Sequence, residues 1–396
     1  MTSREWPANL QVADDFRPHA FREFVLKIHQ RCNLACDYCY VYTMGDDTWR
    51  DRPTRMSVDV VRTAAARIAE HADAHDLRSV RVVLHGGEPL LAGRDRLVEI
   101  IATLKRTIGR ELRLAVQTNG VLLDEAMLDL FRAEGVEVGI SLDGTGADND
   151  RHRRYADGRG SAVAVERALG LLAAERYRAV FAGILCTVDI AADPLETYET
   201  LLRYRPKLID FLLPHANWAR PPVRPAEAGE TAYGDWLVSI FDRWYDAPRI
   251  DTRVRILEEI ISLVLGGASR SEQIGLSPVT VAVIESDGDI EQVDSLKSAY
   301  PGACATGLNV ATDSFDRALR HPGIVARQLG AAALGPDCVS CPIHQWCGAG
   351  HYAHRYRPGS GFRNRSVYCA DLARIITHVR RRVAADLVDQ TGRRGE

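Results

Sequence analysis

The chain has 396 residues, of which 46% are hydrophobic and 26% are charged, as in globular proteins with a sizeable core. Its formal net charge is −3, so composition gives no sign of a nucleic-acid or membrane-surface partner. No apolar run reaches transmembrane length, and residues 1–16 lack the layout of a signal peptide. We therefore expect a cytoplasmic protein with no nucleic-acid or membrane partner.

The first half of the chain alternates between predicted strands and helices. Apolar runs predict strands at 23–30, 112–120, 136–144, 179–189 and 208–216, and residues 80–90 are predicted to form a strand followed by a Gly-rich loop. Helical spacing predicts helices at 57–74, 95–108, from 124 onward, 161–175 and 194–204. This alternation implies parallel βαβ units with right-handed crossovers. Six units are fewer than the eight of a closed barrel, which predicts an α/β fold with a partial (β/α)6 barrel.

After residue 220 the pattern changes. The predicted elements are a linker at 220–230, helices near 234–246 and 252–265, a strand at 279–288, irregular sequence to 369 and a last helix to about 389. The terminal residues 391–396 are expected to be disordered. We accordingly divide the chain into a barrel at 1–220, a linker and helical bridge at 221–270, and a smaller C-terminal domain with the last helix at 271–396.

Seven of the nine cysteines fall into two groups. The first group is Cys32, Cys36 and Cys39, and the second is Cys338, Cys341, Cys347 and Cys369. A disulfide framework is not expected, because the cytosol keeps thiols reduced. Clustered thiols in a reducing compartment are typical of metal ligands. The isolated Cys186 and Cys304 are expected to be small buried side chains.

The first group has one thiol fewer than a closed site needs. Three thiolates can bind three irons of a [4Fe–4S] cube and leave the fourth iron open to another ligand. A zinc site with one distant ligand is the alternative, although zinc motifs usually pair cysteines as C-x2-C. The segment CNLACDYC at 32–39 resembles the C-x3-C-x2-C signature of radical S-adenosylmethionine (SAM) enzymes. The resemblance implies a cluster whose open iron binds SAM, and cleavage of SAM to a 5′-deoxyadenosyl radical.

Further motifs stand at the ends of the next predicted strands. HGGEP at 85–89 resembles the GGE motif of the same family, which assigns Gly86, Gly87 and Glu88 to the SAM amino group. By the same resemblance Ser141 would hydrogen-bond SAM, and Arg153 would pair with its carboxylate.

Several of these assignments have alternatives. Arg151 and Arg154 compete with Arg153 for the carboxylate, and Tyr38 is either the aromatic residue near the adenine or an ordinary packed ring. Gln117 and Asn119 are candidate ribose or substrate contacts, or residues that cap turns. All the motifs lie at the carboxyl ends of strands, where α/β barrels have their active sites.

The second group reads C-x2-C-x5-C with a later fourth cysteine, which suits a closed [4Fe–4S] cluster or structural zinc. Beside the first motif it resembles the SPASM domain, an iron–sulfur extension of peptide-modifying radical SAM enzymes that binds two auxiliary clusters. His351 and Val293 stand where that pattern has cysteines. The resemblance therefore implies one auxiliary [4Fe–4S] cluster, bound by the second group. His351 as an iron ligand is an alternative, but no partner is evident for it.

Asp294 follows the position of one lost cysteine. The matching aspartate of sulfatase-maturing relatives takes a substrate proton, so the resemblance implies a catalytic base; the alternative is a solvated carboxylate at the end of a strand.

Residues 20–380 resemble FxsB-type radical SAM/SPASM peptide maturases. The most specific segments are REFVLKIHQRCNLACDYCYVY, RVVLHGGEPLLAG, LCTVD, LLPHANW, ESDGDIEQVDSLKSAY, GIVARQ and CGAGHYAHRYRPGSGF. The resemblance implies an oxidoreductase that joins an aromatic ring carbon to a nearby Cβ of a ribosomal precursor peptide, forming a cyclophane. An external electron donor would reduce the first cluster, Asp294 would take a proton, and the auxiliary cluster would take an electron or serve as a structural staple. The alternatives are formylglycine formation on a protein Cys or Ser, and a non-catalytic iron–sulfur protein.

Overall fold

The computed structural model describes residues 5–393, with side chains as far as residue 388. The strands are β1 (Glu23–His29), β2 (Ser79–Gly86), β3 (Glu111–Thr118), β4 (Glu137–Ser141), β5 (Phe181–Thr187), β6 (Leu208–Leu212), β7 (Arg253–Val254), β8 (Val281–Ile284), β9 (Asp289–Glu291) and β10 (Ala305–Asn309). The helices are α1 (Val58–Ala74), α2 (Arg94–Ile108), α3 (Glu125–Glu134), α4 (Gly146–His152), α5 (Ala162–Ala173), α6 (Pro194–Leu202), α7 (Ala232–Tyr245), α8 (Arg255–Val264), α9 (Phe315–Ala318), α10 (Pro322–Ala326), α11 (Pro336–Val339), α12 (His344–Cys347) and α13 (Cys369–Arg393). Short 3-10 helices lie at Thr48–Arg50, Pro89–Ala92, Asp294–Ser298, Gly330–Ala333 and Tyr352–Arg355.

The described strands form one sheet in the order β10-β9-β8-β1-β2-β3-β4-β5-β6-β7. Every pair from β1 to β7 is parallel, and β8 also lies parallel to β1 on its other side. The six predicted strands are therefore consecutive neighbours, and the predicted α/β class with six parallel units is confirmed. Because neighbouring parallel strands end at the same edge, the loops after β1 to β6 meet there.

Side-chain caps mark the starts of helices α1 and α3. The Ser57 hydroxyl accepts a hydrogen bond from the Val60 amide at 3.1 Å, and the Asp124 carboxylate accepts one from the Met127 amide at 2.8 Å. Such caps satisfy amide groups that have no partner in the first turn of a helix. Buried apolar residues such as Ile68 and Leu128 turn one face of each helix toward the sheet.

Four features differ from the sequence prediction. The polar helix α4 interrupts the connection between β4 and α5, and Thr145 caps it. The antiparallel strands β9 and β10, together with short helices, occupy a region expected to be irregular. Helix α13 continues to Arg393 instead of ending near 389. The prediction of disorder at 391–396 is wrong for the backbone of 391–393, while 394–396 lie outside the described residues.

The C-terminal region is joined to the barrel through β8. Glu23 pairs with Val281 and Leu26 with Ile284, so the strand that follows the helical bridge lies beside β1. Helix α13 packs against α7 and α8, and its His378 is 2.7 Å from an oxygen of Asp242. The division at residues 220 and 270 stays a prediction. Within residues 5–393, no helix combines the length and apolar character that crossing a lipid bilayer requires.

Candidate active site

The first cysteine group lies in the loop that follows β1. Backbone hydrogen bonds hold this loop: the Ala35 amide donates to the Arg154 carbonyl at 2.7 Å, and the Thr43 amide donates to the Cys39 carbonyl at 2.9 Å. All three cysteines are free and partly exposed. Burial raises the pKa of Cys32 to about 12 and that of Cys36 to about 11, so both are protonated until a metal displaces the proton.

The GGE loop lies directly against the chain beside the cysteines. A Cβ added at Gly86, whose φ is 152°, would lie 2.1 Å from the His29 carbonyl oxygen, and one at Gly87 would lie 1.8 Å from the Tyr42 hydroxyl. The Glu88 amide donates to the Arg31 carbonyl at 2.9 Å. Only glycine allows this approach, and it brings the ends of β1 and β2 together.

The Glu88 side chain ties this loop to the end of β3. Its carboxylate accepts hydrogen bonds from the Thr118 hydroxyl at 2.6 Å, from the Asn119 amide at 2.8 Å and from the Leu90 amide at 2.9 Å. Burial raises its pKa, while these donors favour the ionised form. Glu88 therefore holds the GGE loop against the end of β3. Its contact with SAM stays a prediction.

Asn119 caps a turn, which is one of the two roles predicted for it, and its contact with ribose or substrate stays a prediction. Its side-chain oxygen accepts a hydrogen bond from the Val121 amide at 3.0 Å, which caps the turn. Its side-chain nitrogen donates to Asn33 at 2.8 Å and lies 3.6 Å from the Cys32 sulfur. Gln117 donates to the Ser141 hydroxyl at 3.1 Å, which links the ends of β3 and β4.

Arg153 faces the cysteines, whereas the two competing arginines point elsewhere. Its guanidinium donates to the Tyr38 hydroxyl at 2.8 Å, and that hydroxyl donates in turn to the carboxylate of Asp143. Arg151 pairs with Asp148 and Asp189, and Arg154 donates to the Asp150 carbonyl.

Asp143 is a site residue that the sequence prediction missed. It belongs to the segment SLDG at 141–144, which begins with the last residue of β4 and also contains the predicted Ser141. Its place two residues after Ser141 could have indicated that it lies in the site. Its other oxygen accepts a hydrogen bond from the Thr187 amide at 2.8 Å, which joins β4 to β5.

The predicted SAM-binding residues share one cavity of about 250 Å³. Its walls contain Cys32, Cys36, Tyr38, Cys39, Gly86, Gly87, Glu88, Gln117, Asn119, Ser141 and Arg153. This donor set fits a three-thiolate iron–sulfur cluster with a zwitterionic ligand, because thiols, a carboxylate and an arginine face one space. The assignment of each residue to one part of that ligand stays a prediction.

A larger cavity of about 670 Å³ lies inside the barrel next to the first. Both cavities are lined by Tyr40, His85, Leu212, Leu213 and His215. The two cavities are therefore adjacent.

Asp294 lines this larger cavity and is buried rather than solvated. Lys27, on β1 and fully buried, donates to one carboxylate oxygen at 2.5 Å. The other oxygen has no hydrogen-bond partner within residues 5–393. Burial alone would raise the pKa of Asp294, but the ammonium groups of Lys27 and Lys297 outweigh it and lower the pKa to about 2. The carboxylate is thus ionised, with one free oxygen. Sequence reasoning missed Lys27, because its pairing depends on a contact between β1 and the C-terminal region.

The second cysteine group comes from three helices of the C-terminal region and the residues between them. Cys338 lies in α11, Cys347 ends α12, Cys369 begins α13, and Cys341 follows α11. Burial raises the pKa of Cys347 to about 12 and also raises the pKa values of Cys338 and Cys369, and neighbouring thiols of the group raise each further. The fold therefore brings the four thiols together. Cys186 and Cys304 are buried, as expected.

Comparisons with known proteins find similarity over the barrel and beyond it. A family model described as the Radical SAM superfamily matches residues 26–202. The serine-type anaerobic sulfatase-maturating enzyme of Klebsiella aerogenes is 26% identical over 360 residues, which cover 88% of this chain and 84% of that protein.

Two solved structures resemble the fold. Native anSMEcpe with bound AdoMet has a TM-score of 0.79 and 20% identity, covering 92% of this chain and 98% of its own. Streptococcus suis SuiB bound to precursor peptide SuiA has a TM-score of 0.59 and 14% identity, covering 88% and 76%. Residues 26–202 thus match the Radical SAM superfamily, in agreement with the predicted iron–sulfur and SAM cofactors, and the predicted fold class is confirmed.

Proposed function

We infer from this radical SAM domain that the protein modifies a peptide, and we propose that it joins an aromatic ring carbon to a nearby Cβ of a ribosomally made precursor peptide. The observation that carries this proposal is that the cavity lined by the cysteines lies next to a larger cavity whose wall contains the buried, ionised Asp294. A peptide segment in the larger cavity would present one C–H bond to the space beside the cysteines and another to the carboxylate.

The residues of the smaller cavity would hold the cofactors. Cys32, Cys36 and Cys39 would bind a [4Fe–4S] cluster, and the cavity between Glu88 and Arg153 would bind SAM. When bound, these groups supply a 5′-deoxyadenosyl radical, which removes a hydrogen atom that no amino-acid side chain can remove. An external electron donor would provide the electron that this chemistry consumes.

The larger cavity suits a short peptide segment. Its volume of about 670 Å³ lies within the range of specific ligand sites. Its walls combine apolar residues such as Phe211 and Leu237 with charged residues such as Arg255. SuiB, whose structure contains a precursor peptide, has a similar fold, which supports a peptide as the substrate.

Asp294 would complete the reaction as a base. After a carbon radical has added to an aromatic ring, one proton and one electron must leave to restore aromaticity. The free oxygen of Asp294 can accept the ring proton, while Lys27 holds the other oxygen and fixes the orientation of the carboxylate. The product then has two hydrogen atoms fewer than the substrate, one of them transferred to the deoxyadenosyl group.

The second cysteine group would hold one auxiliary [4Fe–4S] cluster, which supplies a one-electron acceptor when bound. Four thiols on three separate elements would leave no open coordination position. A structural staple for the start of α13 is the alternative role. The two roles differ in outcome, because a staple is needed for stability and an acceptor is needed for product formation.

Oxidation of a protein serine to formylglycine is the second candidate function. The similarity to a serine-type anaerobic sulfatase-maturating enzyme over 88% of the chain favours it. Against it, His351 and Val293 stand at two positions where the SPASM pattern has cysteines. The two candidates differ in product, because formylglycine contains an aldehyde and a cyclophane does not.

The test is anaerobic incubation of the iron-reconstituted protein with SAM, a reductant and a candidate precursor, namely an aromatic-containing peptide from any short open reading frame found beside its gene. We expect 5′-deoxyadenosine and a peptide that has lost two hydrogen atoms and resists fragmentation between the joined residues. The Asp294→Asn variant is the matched control, expected to cleave SAM with little product. A product that reacts with a hydrazide probe would favour formylglycine. Absence of SAM cleavage would refute both enzymatic candidates and favour a non-catalytic protein.

A further inference from the structure

Three histidines converge on the wall of the larger cavity. His215 follows β6, whereas His351 and His354 lie at the 3-10 helix Tyr352–Arg355. The ring of His215 is centred 5.5 Å from that of His351 and 5.8 Å from that of His354, and the latter two rings are 5.0 Å apart. One ring nitrogen of each lies within 4.8 Å of the others. The fold thus gives His351 the partners that the sequence did not reveal.

The hydrogen-bonding groups of this histidine cluster are not satisfied by the protein. His354 is only 3% exposed, yet its Nε2 atom has no hydrogen-bond partner among the residues described. Nδ1 of His215 is also buried and also lacks a hydrogen-bond partner among these residues. His351 uses Nδ1 to accept from the Ala353 amide, which leaves Nε2 at 3.8 Å from a carboxylate oxygen of Glu272. Buried polar atoms without partners are costly, so they indicate a site built for a ligand.

Two other clusters in the described chain also bring three potential ligand atoms within 4.8 Å of one another, but both are already occupied. His71 and His75 both bond to Asp316 at 2.8 Å, and the second nitrogen of His71 accepts from the Phe21 amide. Glu285, Glu291 and Asp294 are held by buried cations, namely Lys27, Arg52 and Lys297. The histidine cluster differs from both because Nδ1 of His215 and Nε2 of His354 have no hydrogen-bond partner among the residues described.

The surroundings keep the imidazoles neutral. Burial lowers the pKa of His215 and of His351 to about 3 and lowers that of His354 well below 6.5. Arg327 and Arg355 lower the pKa of His351 further, whereas the Glu272 and Asp294 carboxylates act in the opposite direction on His215. Neutral imidazole is the form that binds metals.

We propose that His215, His351 and His354 bind a single divalent first-row transition-metal ion. Three imidazoles with one open position form the donor set of catalytic zinc sites, and imidazole also suits iron, nickel and copper. Binding through Nε2 of His351 would place the proton of that ring on Nδ1 and release the Ala353 amide. The Glu272 carboxylate, 3.8 Å from Nε2, would then lie outside the three imidazoles and offset the charge of the ion.

The open position of this ion would face the larger cavity that Asp294 also lines. Its ligand there would be an oxygen of the substrate, a carbonyl or carboxylate group of a peptide. The metal site itself is inferred from the histidine geometry and does not depend on the proposed cross-linking reaction.

The experiment is a calorimetric titration of chelator-treated, iron-reconstituted holoprotein with Zn²⁺ under anaerobic conditions. Cluster iron occupies the thiols, so we expect one tight zinc equivalent bound by the histidines. His215→Gln and His354→Gln should weaken that binding by more than about 100-fold, and Glu272→Gln by about 10- to 100-fold. His75→Gln, which changes another three-ligand group, is the matched control and should bind zinc as the wild type does. Iron and sulfide contents should be equal in all variants.

X-ray absorption of zinc in the wild type gives a second readout that needs no variant. We expect only nitrogen or oxygen neighbours at about 2.0–2.1 Å. A sulfur neighbour at about 2.3 Å would overturn the proposal, since the zinc would then be bound by thiolates. Unchanged binding in His354→Gln would also overturn it. If the histidine variants lose about four irons and four sulfides, the histidines bind an iron–sulfur cluster and the proposal of a single ion is wrong.

Discussion

The two cysteine groups use the same side chain in opposite surroundings. The first group lies on one continuous loop after β1, and its three thiols line a cavity with Glu88 and Arg153. The second takes four thiols from α11, α12, α13 and the residues between them, and two of these thiols are buried. Three ligands beside a polar cavity leave a coordination position open, whereas four ligands fill a cluster. The number and placement of the thiols therefore separate a reactive site from a closed one.

The residues around the two groups differ in the same sense. Near the first, Arg153, Tyr38 and Asp143 form a hydrogen-bonded chain that faces the cavity. Near the second, Arg355 donates to the backbone carbonyls of Gly348 and Gly350 and so stiffens the loop after Cys347. Side chains at the first group are available to a ligand, while those at the second support the backbone.

The largest expected effect comes from removing the first group. Changing Cys32, Cys36 and Cys39 to alanine should lower the iron content of reconstituted protein from about eight to about four per chain. Formation of 5′-deoxyadenosine should stop, because these thiols would hold the cluster that binds SAM. Iron and sulfide analysis with chromatography of the nucleoside product measures both. Persistent SAM cleavage in this variant would contradict the assignment.

Removing the second cysteine group should distinguish its role from that of the first. Replacing Cys338 and Cys341 by alanine is expected to remove about four irons and to abolish the peptide product while SAM cleavage continues. Comparing deoxyadenosine with cross-linked peptide in the same sample tests this expectation. If product formation survives and only the midpoint of thermal unfolding falls, the cluster is a staple and the electron-acceptor role is wrong.

Asp294 links the two regions, and its neutral analogue should slow the last step. Asp294→Asn is expected to lower the rate of product formation by about 10²- to 10⁴-fold, because a general base contributes that much. The measurement is the ratio of peptide product to deoxyadenosine in single-turnover experiments. Asp193→Asn, which alters only the cap of α6, is the control and should keep the wild-type ratio. An unchanged ratio in Asp294→Asn would assign the carboxylate a purely structural role.

Glu88 should contribute to stability as well as to SAM binding. Glu88→Gln places an amide group where the carboxylate now accepts from three donors, and we expect the free energy of unfolding to fall by about 1.5–3 kcal/mol. Anaerobic urea unfolding measures this change. Glu99→Gln, an exposed residue paired with Arg96, should alter it by less than about 0.5 kcal/mol. Equal effects of the two substitutions would show that the Glu88 contacts do not stabilise the fold.

The smallest expected effect is a pH dependence at the first cysteine loop. Hydrogen bonds to Asp189 and Asp37 raise the pKa of His152 from 6.5 to about 9. A raised pKa adds stability that is complete below pH 6.5 and is lost as the pH rises through 9. His152→Gln should remove this part of the slope in the unfolding free energy between pH 6.5 and 9. His378→Gln on α13 should retain it, and an unchanged slope in His152→Gln would contradict the pairing.

The sequence by itself determined the barrel strands and the first site. Apolar periodicity and caps such as Ser57 are local properties, so β1 to β6 and their helices were predicted closely. The proximity of the predicted SAM-site residues could also be predicted from local patterns. Motifs at the carboxyl ends of neighbouring parallel strands must meet, and the predicted residues do line one cavity.

Only the tertiary structure decided the contacts between distant segments. The turn of α4 places Arg153, and not Arg151 or Arg154, in the wall of the smaller cavity. The pairing of β8 with β1 brings Asp294 to Lys27, which is 267 positions away in the sequence. The histidine cluster likewise joins the loop after β6 to the C-terminal region. Local patterns specify the elements of a fold, but the packing of those elements sets which side chains meet. Buried ion pairs and ligand clusters therefore could not be predicted from the residues alone.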